Sequence, residues 1–231
     1  MTASGLGSSS SLAVGLLNAL YAFKGQNVTR HQLAEEACEI EIMKMGQPIG
    51  KQDQYAAAFG GMNQYEFLPD GVVNVRGLKV PSGYLDELLS QGTLYWTGLT
   101  RSVETVLEQQ KKNFVDGKLK EVQGVLDLVD PFHAALVAGA SPERIASMID
   151  QSWMLKQQFS DTISNNSINV YYEKAKAAGA YGGKICGGGG GGFLLLFHPR
   201  RLRQEVCDAA GFPYCLPLDM DFSGTEILVS S

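Results

Sequence analysis

Six consecutive glycines, Gly187 to Gly192, stand immediately before the apolar run Phe193-Leu194-Leu195-Leu196-Phe197. Glycine loses more conformational entropy on folding than any other residue, so such a run needs a reason to stay ordered. The cluster reaches back to Gly179: of 27 glycines in the chain, nine lie between Gly179 and Gly192. A flexible linker is the plain reading. It fits poorly, because Phe193–Phe197 has the length and composition of a buried strand. A backbone that passes close to a ligand or to another loop fits better. The run also satisfies GxGxxG, but trivially and without the helix that a dinucleotide site requires next.

The remainder of the 231 residues is ordinary globular material, 45% hydrophobic and 19% charged, enough for one large domain or two small ones. Nineteen basic against 24 acidic residues give a net charge of −5, which excludes a basic nucleic-acid groove and a polybasic membrane anchor. The apolar stretches fall short of a spanning helix. Leu12–Phe23 lacks the preceding basic segment of a secretory signal. The expected location is therefore the cytoplasm. Cys38, Cys186, Cys207 and Cys215 show no CxxC spacing, and His31, His133 and His198 stand far apart, so a zinc site is not expected.

Periodicity predicts a helix from the serines after Gly7 to the stop at Gly25, and a second over Thr29–Met45 with a Thr29/Gln32 capping box. A short helix starts at Asp53 and ends at Gly60-Gly61. Strands over Met62–Leu68 and Val72–Val80 flank the turn Pro69-Asp70-Gly71, and a third covers Thr93–Gly98. Helices are expected over Ser102–Val115, Lys118–Val129, Pro131–Ala138, Pro142–Phe159, Asn166–Ala178 and Pro199–Ala210. Tyr214–Val229 reads as one or two strands. A soft boundary falls at residues 80–92.

Two further groups carry chemistry. Gly5-Leu6-Gly7-Ser8-Ser9-Ser10-Ser11 opens the first helix. A helix N-terminus offers unpaired N–H groups and the positive dipole end, glycine lets a phosphate approach, and serine hydroxyls can donate or ligate Mg²⁺. No Gly-Lys-Ser/Thr follows, so it is not a Walker A loop. The second group is Gly50-Lys51-Gln52-Asp53-Gln54-Tyr55, behind a helix bearing Glu35, Glu36, Glu39 and Glu41. Asp53 reads either as a helix cap or as a carboxylate kept ionised by Lys51 and able to take a hydroxyl proton.

In this order, the motifs resemble those of the GHMP kinase superfamily. Gly5-Leu6-Gly7-Ser8-Ser9-Ser10 matches the core of its phosphate motif, and Gly179–Phe193 matches its later glycine motif almost position by position. Within it, Gly50–Gly61, Tyr95-Trp96-Thr97-Gly98-Leu99-Thr100-Arg101 and Trp153-Met154-Leu155-Lys156 are most similar to the D-glycero-D-manno-heptose 7-phosphate kinase branch.

The resemblance implies an α+β, two-layer fold. Its partial N-terminal domain, residues 1–85, would be ribosomal S5 domain 2-like, and residues 86–231 would form the C-terminal GHMP domain. It implies ATP on Gly5, Leu6, Gly7, Ser8, Ser9 and Ser10, and Mg²⁺ on Ser9 and Glu41. It also implies Asp53 as the catalytic residue at the acceptor hydroxyl, and Arg101, Lys156 and Gly187, Gly188, Gly189, Gly190 and Gly191 around a sugar phosphate. The acceptor would be the anomeric hydroxyl of heptose 7-phosphate, with fucose- or galactose-type kinases, or an inactive nucleotide-binding or interaction fragment, as alternatives. Family members carry a further segment before the phosphate motif. Without it, exposed apolar faces and self-association through an incomplete N-terminal sheet are expected.

Overall fold

The computed structural model describes residues 4–100, 119–160 and 163–228. The chain divides into two compact units: Gly7–Lys79 with Met220–Ser231, and Met1–Leu6 with Val80–Asp219. Helices and antiparallel strands mix in both, as an α+β fold requires.

In the smaller unit, helix α1 (Ser8–Phe23) starts after Gly7 and turns Val14 inward. Helix α2 (Arg30–Cys38) begins at the expected cap: the Thr29 hydroxyl accepts from the Gln32 N–H at 3.1 Å. Only half of a capping box forms, because the Gln32 amide donates to Glu36 (2.9 Å) and Tyr21 (3.3 Å). The expected single helix to Met45 instead widens into a π-helical turn, Glu39–Lys44, where the Met45 N–H reaches back to the Ile40 carbonyl. Helix α3 (Gln52–Phe59) follows, then the hairpin of β1 (Asn63–Phe67) and β2 (Val73–Gly77), in register Tyr65–Val75 and Phe67–Val73. Asp70 ties its turn by accepting from the Val72 N–H at 3.0 Å. Val14, Leu33, Ala34, Ala37, Cys38, Tyr55, Ala58 and Val73 form the core. The closing segment runs back along the unit, with the Gly61 N–H on the Asp221 carbonyl at 2.7 Å and Asn18 on Thr225 at 3.0 Å.

The larger unit is built on a four-stranded antiparallel sheet in the order β4-β5-β3-β6. Its strands are β3 (Gly92–Trp96), β4 (Gly182–Ile185), β5 (Phe193–Phe197) and β6 (Tyr214–Pro217). In its central pair Tyr95 faces Leu194 and Trp96 faces Phe193. Helices α4 (Tyr84–Ser90), α5 (Leu119–Leu126), α6 (Val129–Val137), α7 (Pro142–Gln157), α8 (Asn166–Ala177) and α9 (Arg203–Ala210) surround it. Ser141 caps α7 just before Pro142, and Asn165 caps α8. Trp153, Tyr95, Ile163, Ile168, Ile185, Leu194 and Leu196 fill the core.

Four further local readings change. Strand β4 lies inside the glycine cluster, where strand propensity is lowest; a side chain on Gly183 would strike the Leu195 carbonyl of β5, so glycine is what permits the pairing. Helix α4 occupies the stretch read as a boundary. Pro199 precedes a 3₁₀ turn, Arg200–Leu202, before α9 begins. After Pro217 the described residues contain no strand. The helix expected over Ser102–Val115 lies outside the described residues. No helix among the described residues is long and apolar enough to cross a membrane.

Candidate active site

In the smaller unit the residue before α1 is Gly7, held at φ 67°, a conformation that side chains disfavour. The Ser11 N–H closes the first turn on its carbonyl at 2.9 Å. The expected serine cap is therefore a glycine, which leaves the start of the helix uncovered by any capping side chain. Ser10 is buried, and Ser8 and Ser9 are exposed.

Ser9 donates its hydroxyl to Glu41 Oε1 at 2.5 Å, and the Gln54 amide donates to Glu41 Oε2 at 2.5 Å. Glu41 is only 2% exposed. A desolvated carboxylate needs such charge-assisted donors on both oxygens. The π-helical turn carries it there. Among the four glutamates of this segment, Glu41 alone is buried; Glu35 and Glu39 are exposed and Glu36 half-buried. Gln54 Oε1 is a buried acceptor without a hydrogen-bond partner.

Asp53 occupies the first turn of α3 and is exposed. The residue that caps α3 is Lys51, so Asp53 is not the cap. Its carboxyl packs on Gly7: a Cβ added there would lie 3.3 Å from Asp53 Cγ. The structure thus places Asp53 at the mouth of α1, with Ser9 and Glu41 in the same unit. Lys51, read as the cation of Asp53, donates to the Gly71 carbonyl of the hairpin turn at 3.1 Å.

The same unit has a cavity of about 460 Å³, lined by Glu35, Cys38, Lys51, Tyr55 and Asp70 among others and not by Ser9, Glu41 or Asp53. Burial, reinforced by Glu35, pushes the Tyr55 hydroxyl up to about 12, and burial pushes the Cys38 thiol up to about 11 against the pull of Lys51. The Tyr55 hydroxyl is buried without a hydrogen-bond partner.

The larger unit by itself holds Gly5, Leu6 and the later glycines. Gly5 lies against the 186–187 backbone so tightly that a Cβ on it would sit 2.7 Å from the Cys186 carbonyl, and one on Gly187 would sit 2.8 Å from Gly5 Cα. The glycine run is tied down rather than loose. The Gly190 N–H bonds the Ile163 carbonyl at 2.8 Å, the Gly192 N–H the Leu99 carbonyl at 2.9 Å, and the Thr97 hydroxyl the Gly192 carbonyl at 2.7 Å. Lys156, at the end of α7, donates to the Gly187 carbonyl at 2.7 Å and so anchors the run. A second cavity of about 330 Å³ is lined by Leu99, Thr100, Asn165, Asn166, Ser167 and Gly190. Of its polar residues, Asn165, Asn166 and Ser167 escaped the sequence reading as site residues, while Thr100 stood only within a family-like stretch. The only signal was the cap pattern at Asn165, which marks a helix start and not a site. Arg101 lies outside the described residues.

With this geometry in hand, comparison with known proteins is informative. The model of the GHMP kinases N terminal domain matches residues 2–61, and that of the GHMP kinases C terminal matches residues 132–214. The chain belongs to the GHMP kinases. It is 34% identical over 186 residues to a D-glycero-alpha-D-manno-heptose 7-phosphate kinase of Campylobacter jejuni, covering 80% of this chain and 54% of that protein. A crystal structure of a D-glycero-D-manno-heptose 1-phosphate kinase from Bacteriodes thetaiotaomicron is 28% identical with a TM-score of 0.68, covering 100% of this chain and 65% of the other. The galactokinase of Lactococcus lactis, complexed with galactose, is 17% identical with a TM-score of 0.73, covering 98% and 69% of the two chains, and shares the fold. This GHMP kinase chain thus spans between half and two thirds of the length of its heptose kinase relatives.

Proposed function

We propose that this chain carries the catalytic apparatus of an ATP- and Mg²⁺-dependent sugar kinase, whose acceptor is the anomeric hydroxyl of D-glycero-D-manno-heptose 7-phosphate. The observation that carries this reading is the Asp53 carboxyl packed on Gly7 at the start of α1, with the Ser9–Glu41 pair beside it. Similarity to heptose phosphate kinases supports the acceptor.

In this reading ATP phosphates lie on Gly5–Ser10, held by first-turn N–H groups and the helix dipole. Asp53 orients the attacking hydroxyl and takes its proton as the γ-phosphoryl group passes from ATP to the sugar oxygen and ADP leaves. The donor set suits Mg²⁺: a hydroxyl and a carboxylate are hard oxygens, and an ion that keeps water and phosphate ligands needs no more from protein. Ser9 and Glu41 would hold it, and Gln54 would steady Glu41. Bound there, the ion would neutralise charge on the moving phosphoryl group. Arg101 and Gly187–Gly191 are assigned to the acceptor and its phosphate. Lys156, which donates to the Gly187 carbonyl, is assigned to the same phosphate. The described cysteines are all free thiols, as suits the reducing cytoplasm.

The test is Asp53→Asn with Mg-ATP and heptose 7-phosphate, read beside galactose and fucose. Loss of general-base action lowers turnover by about 10²–10⁴-fold, with Mg-ATP affinity unchanged by calorimetry. Near-normal turnover removes Asp53 from the chemistry. Nucleotide binding by the parent chain without turnover on any sugar favours the nucleotide-binding fragment.

A further inference from the structure

Two of the four cysteines stand side by side inside the larger unit. Cys207 lies near the end of α9 and is 5% exposed. Gly211, at φ 82°, ends that helix, and the Phe212 N–H returns to the Cys207 carbonyl at 3.0 Å. The chain then enters β6, where Cys215 stands directly opposite Tyr95 of β3. Residues opposite one another across a strand pair share a face, and Tyr95 is sealed in the core that holds Cys207. The register therefore turns Cys215 toward Cys207, and Cys215 packs against the same core. The two thiols meet in a side-chain hydrogen bond.

The two sulfurs are unequal. Burial, reinforced by the neighbouring Cys215, holds the Cys207 thiol up at about 11. Cys215 is only half-buried, on an edge strand of the sheet. A lone buried thiol is inert, because oxidation follows exposure and thiolate character. A half-buried thiol backed by a second one differs: what oxidises the first is resolved by the second. Cys186 follows β4, at the opposite edge of the sheet from β6, and Cys38 belongs to the other unit. Both are too distant to share this arrangement.

We infer that Cys207 and Cys215 form a peroxide-reactive dithiol, in which Cys215 is oxidised first and Cys207 resolves it to an intramolecular disulfide. The oxidant is hydrogen peroxide. Cys215 Sγ attacks one peroxide oxygen; the S–O bond forms, the O–O bond breaks, and the thiol proton leaves with the departing oxygen as water. Cys207 Sγ then attacks the sulfenic sulfur; the S–S bond forms, the S–O bond breaks, and the second proton leaves with the hydroxyl as water. Two thiols are oxidised, and one peroxide is reduced to two waters. The disulfide fastens α9 to β6 and spares Cys215 the irreversible sulfonic acid. The inference does not depend on the kinase assignment.

Mass spectrometry of the full chain tests it. The chain is exposed to a small excess of hydrogen peroxide, blocked with N-ethylmaleimide in denaturant and cut with trypsin. No lysine or arginine follows Arg203, so one peptide, residues 204–231, carries both cysteines. It is expected to be unblocked, two hydrogens lighter than its reduced form, and restored by dithiothreitol. Its thiols should be lost faster than those of Cys38 and Cys186 by about tenfold. Cys207→Ala removes the resolving sulfur without stranding a polar group, so Cys215 should accumulate as a sulfenic acid that dimedone captures. Cys215→Ser should leave Cys207 reduced. The parent measurement decides even where a variant fails to fold. A parent peptide without the disulfide, disulfides formed only between chains, or equal dimedone capture at Cys215 in the parent and in Cys207→Ala overturns the inference.

Discussion

In the larger unit Trp153, Tyr95, Ile163, Leu194 and Leu196 are sealed from solvent, and the polar groups buried among them are paired. His198 bonds the Tyr95 hydroxyl at 2.8 Å and Thr93 at 3.1 Å, and Asp150 accepts from both Tyr172 and Lys176. In the smaller unit the core is lined by Ala34, Ala37 and Ala58, four large side chains of α1 stay outside, and the Gln54 and Tyr55 oxygens are buried without partners. One unit is a finished interior. The other holds the residues suited to chemistry and keeps unmet polar and apolar demands around them. Such inconsistency between local rule and local structure is expected where function sits.

The contrast can be broken by substitution. Trp153→Ala empties the largest buried side chain and should cost about 3–5 kcal/mol. Amide exchange should then accelerate in β3 and β5 while α2 and α3 keep their protection. Equal loss in both units would show one cooperative interior instead of two. Glu41→Ala strands the Ser9 hydroxyl and the buried Gln54 amide, at about 1–3 kcal/mol. Here the faster exchange belongs to α1–α3, and a change confined to the sheet would contradict the contrast.

Tyr55→Phe is the gentlest probe. It removes a hydroxyl that has no partner, so at pH 7 the melting temperature should hold or rise slightly. The alkaline limb sharpens the point. The folded hydroxyl titrates at about 12, above its ordinary 10, so its contribution is complete below pH 10 and is lost as pH rises toward 12. The parent melting temperature should therefore fall more steeply over that interval than that of Tyr55→Phe. Parallel slopes would mean that the hydroxyl is not desolvated.

Local chemistry made much of this legible from sequence. The Thr29 cap, the Asp70 turn and the start of α1 are each set by a few neighbouring residues, and each element formed where its signal stood, although Gly7 and not a serine precedes α1 and Gln32 does not close the box at Thr29. Strand β4 was hidden because glycine disfavours strands in general, while Gly182 and Gly183 sit where neighbouring backbone leaves no room for a side chain. Helix α4 was hidden because Pro81 and Gly83 punctuate its start. Glu41 was assigned through family resemblance alone, yet the pattern itself sets it apart: Leu33, Ala37 and Glu41 recur every four residues on one buried face, which a merely solvated glutamate would not do. The packing of Asp53 on Gly7 could not be read from spacing, since it depends on how α1 and α3 meet. Motif order supplied it only through family resemblance.

The embrace of Gly5 by the backbone at Gly187 joins residues far apart in the sequence. On the ribosome the first of these is made long before the second. Contacts so distant in sequence are costly to close and form late. The opening loop therefore acquires its final shape only after the β4–β5 hairpin has been synthesised, and a nascent chain halted before Cys186 should be unable to hold the nucleotide that the finished protein is proposed to bind.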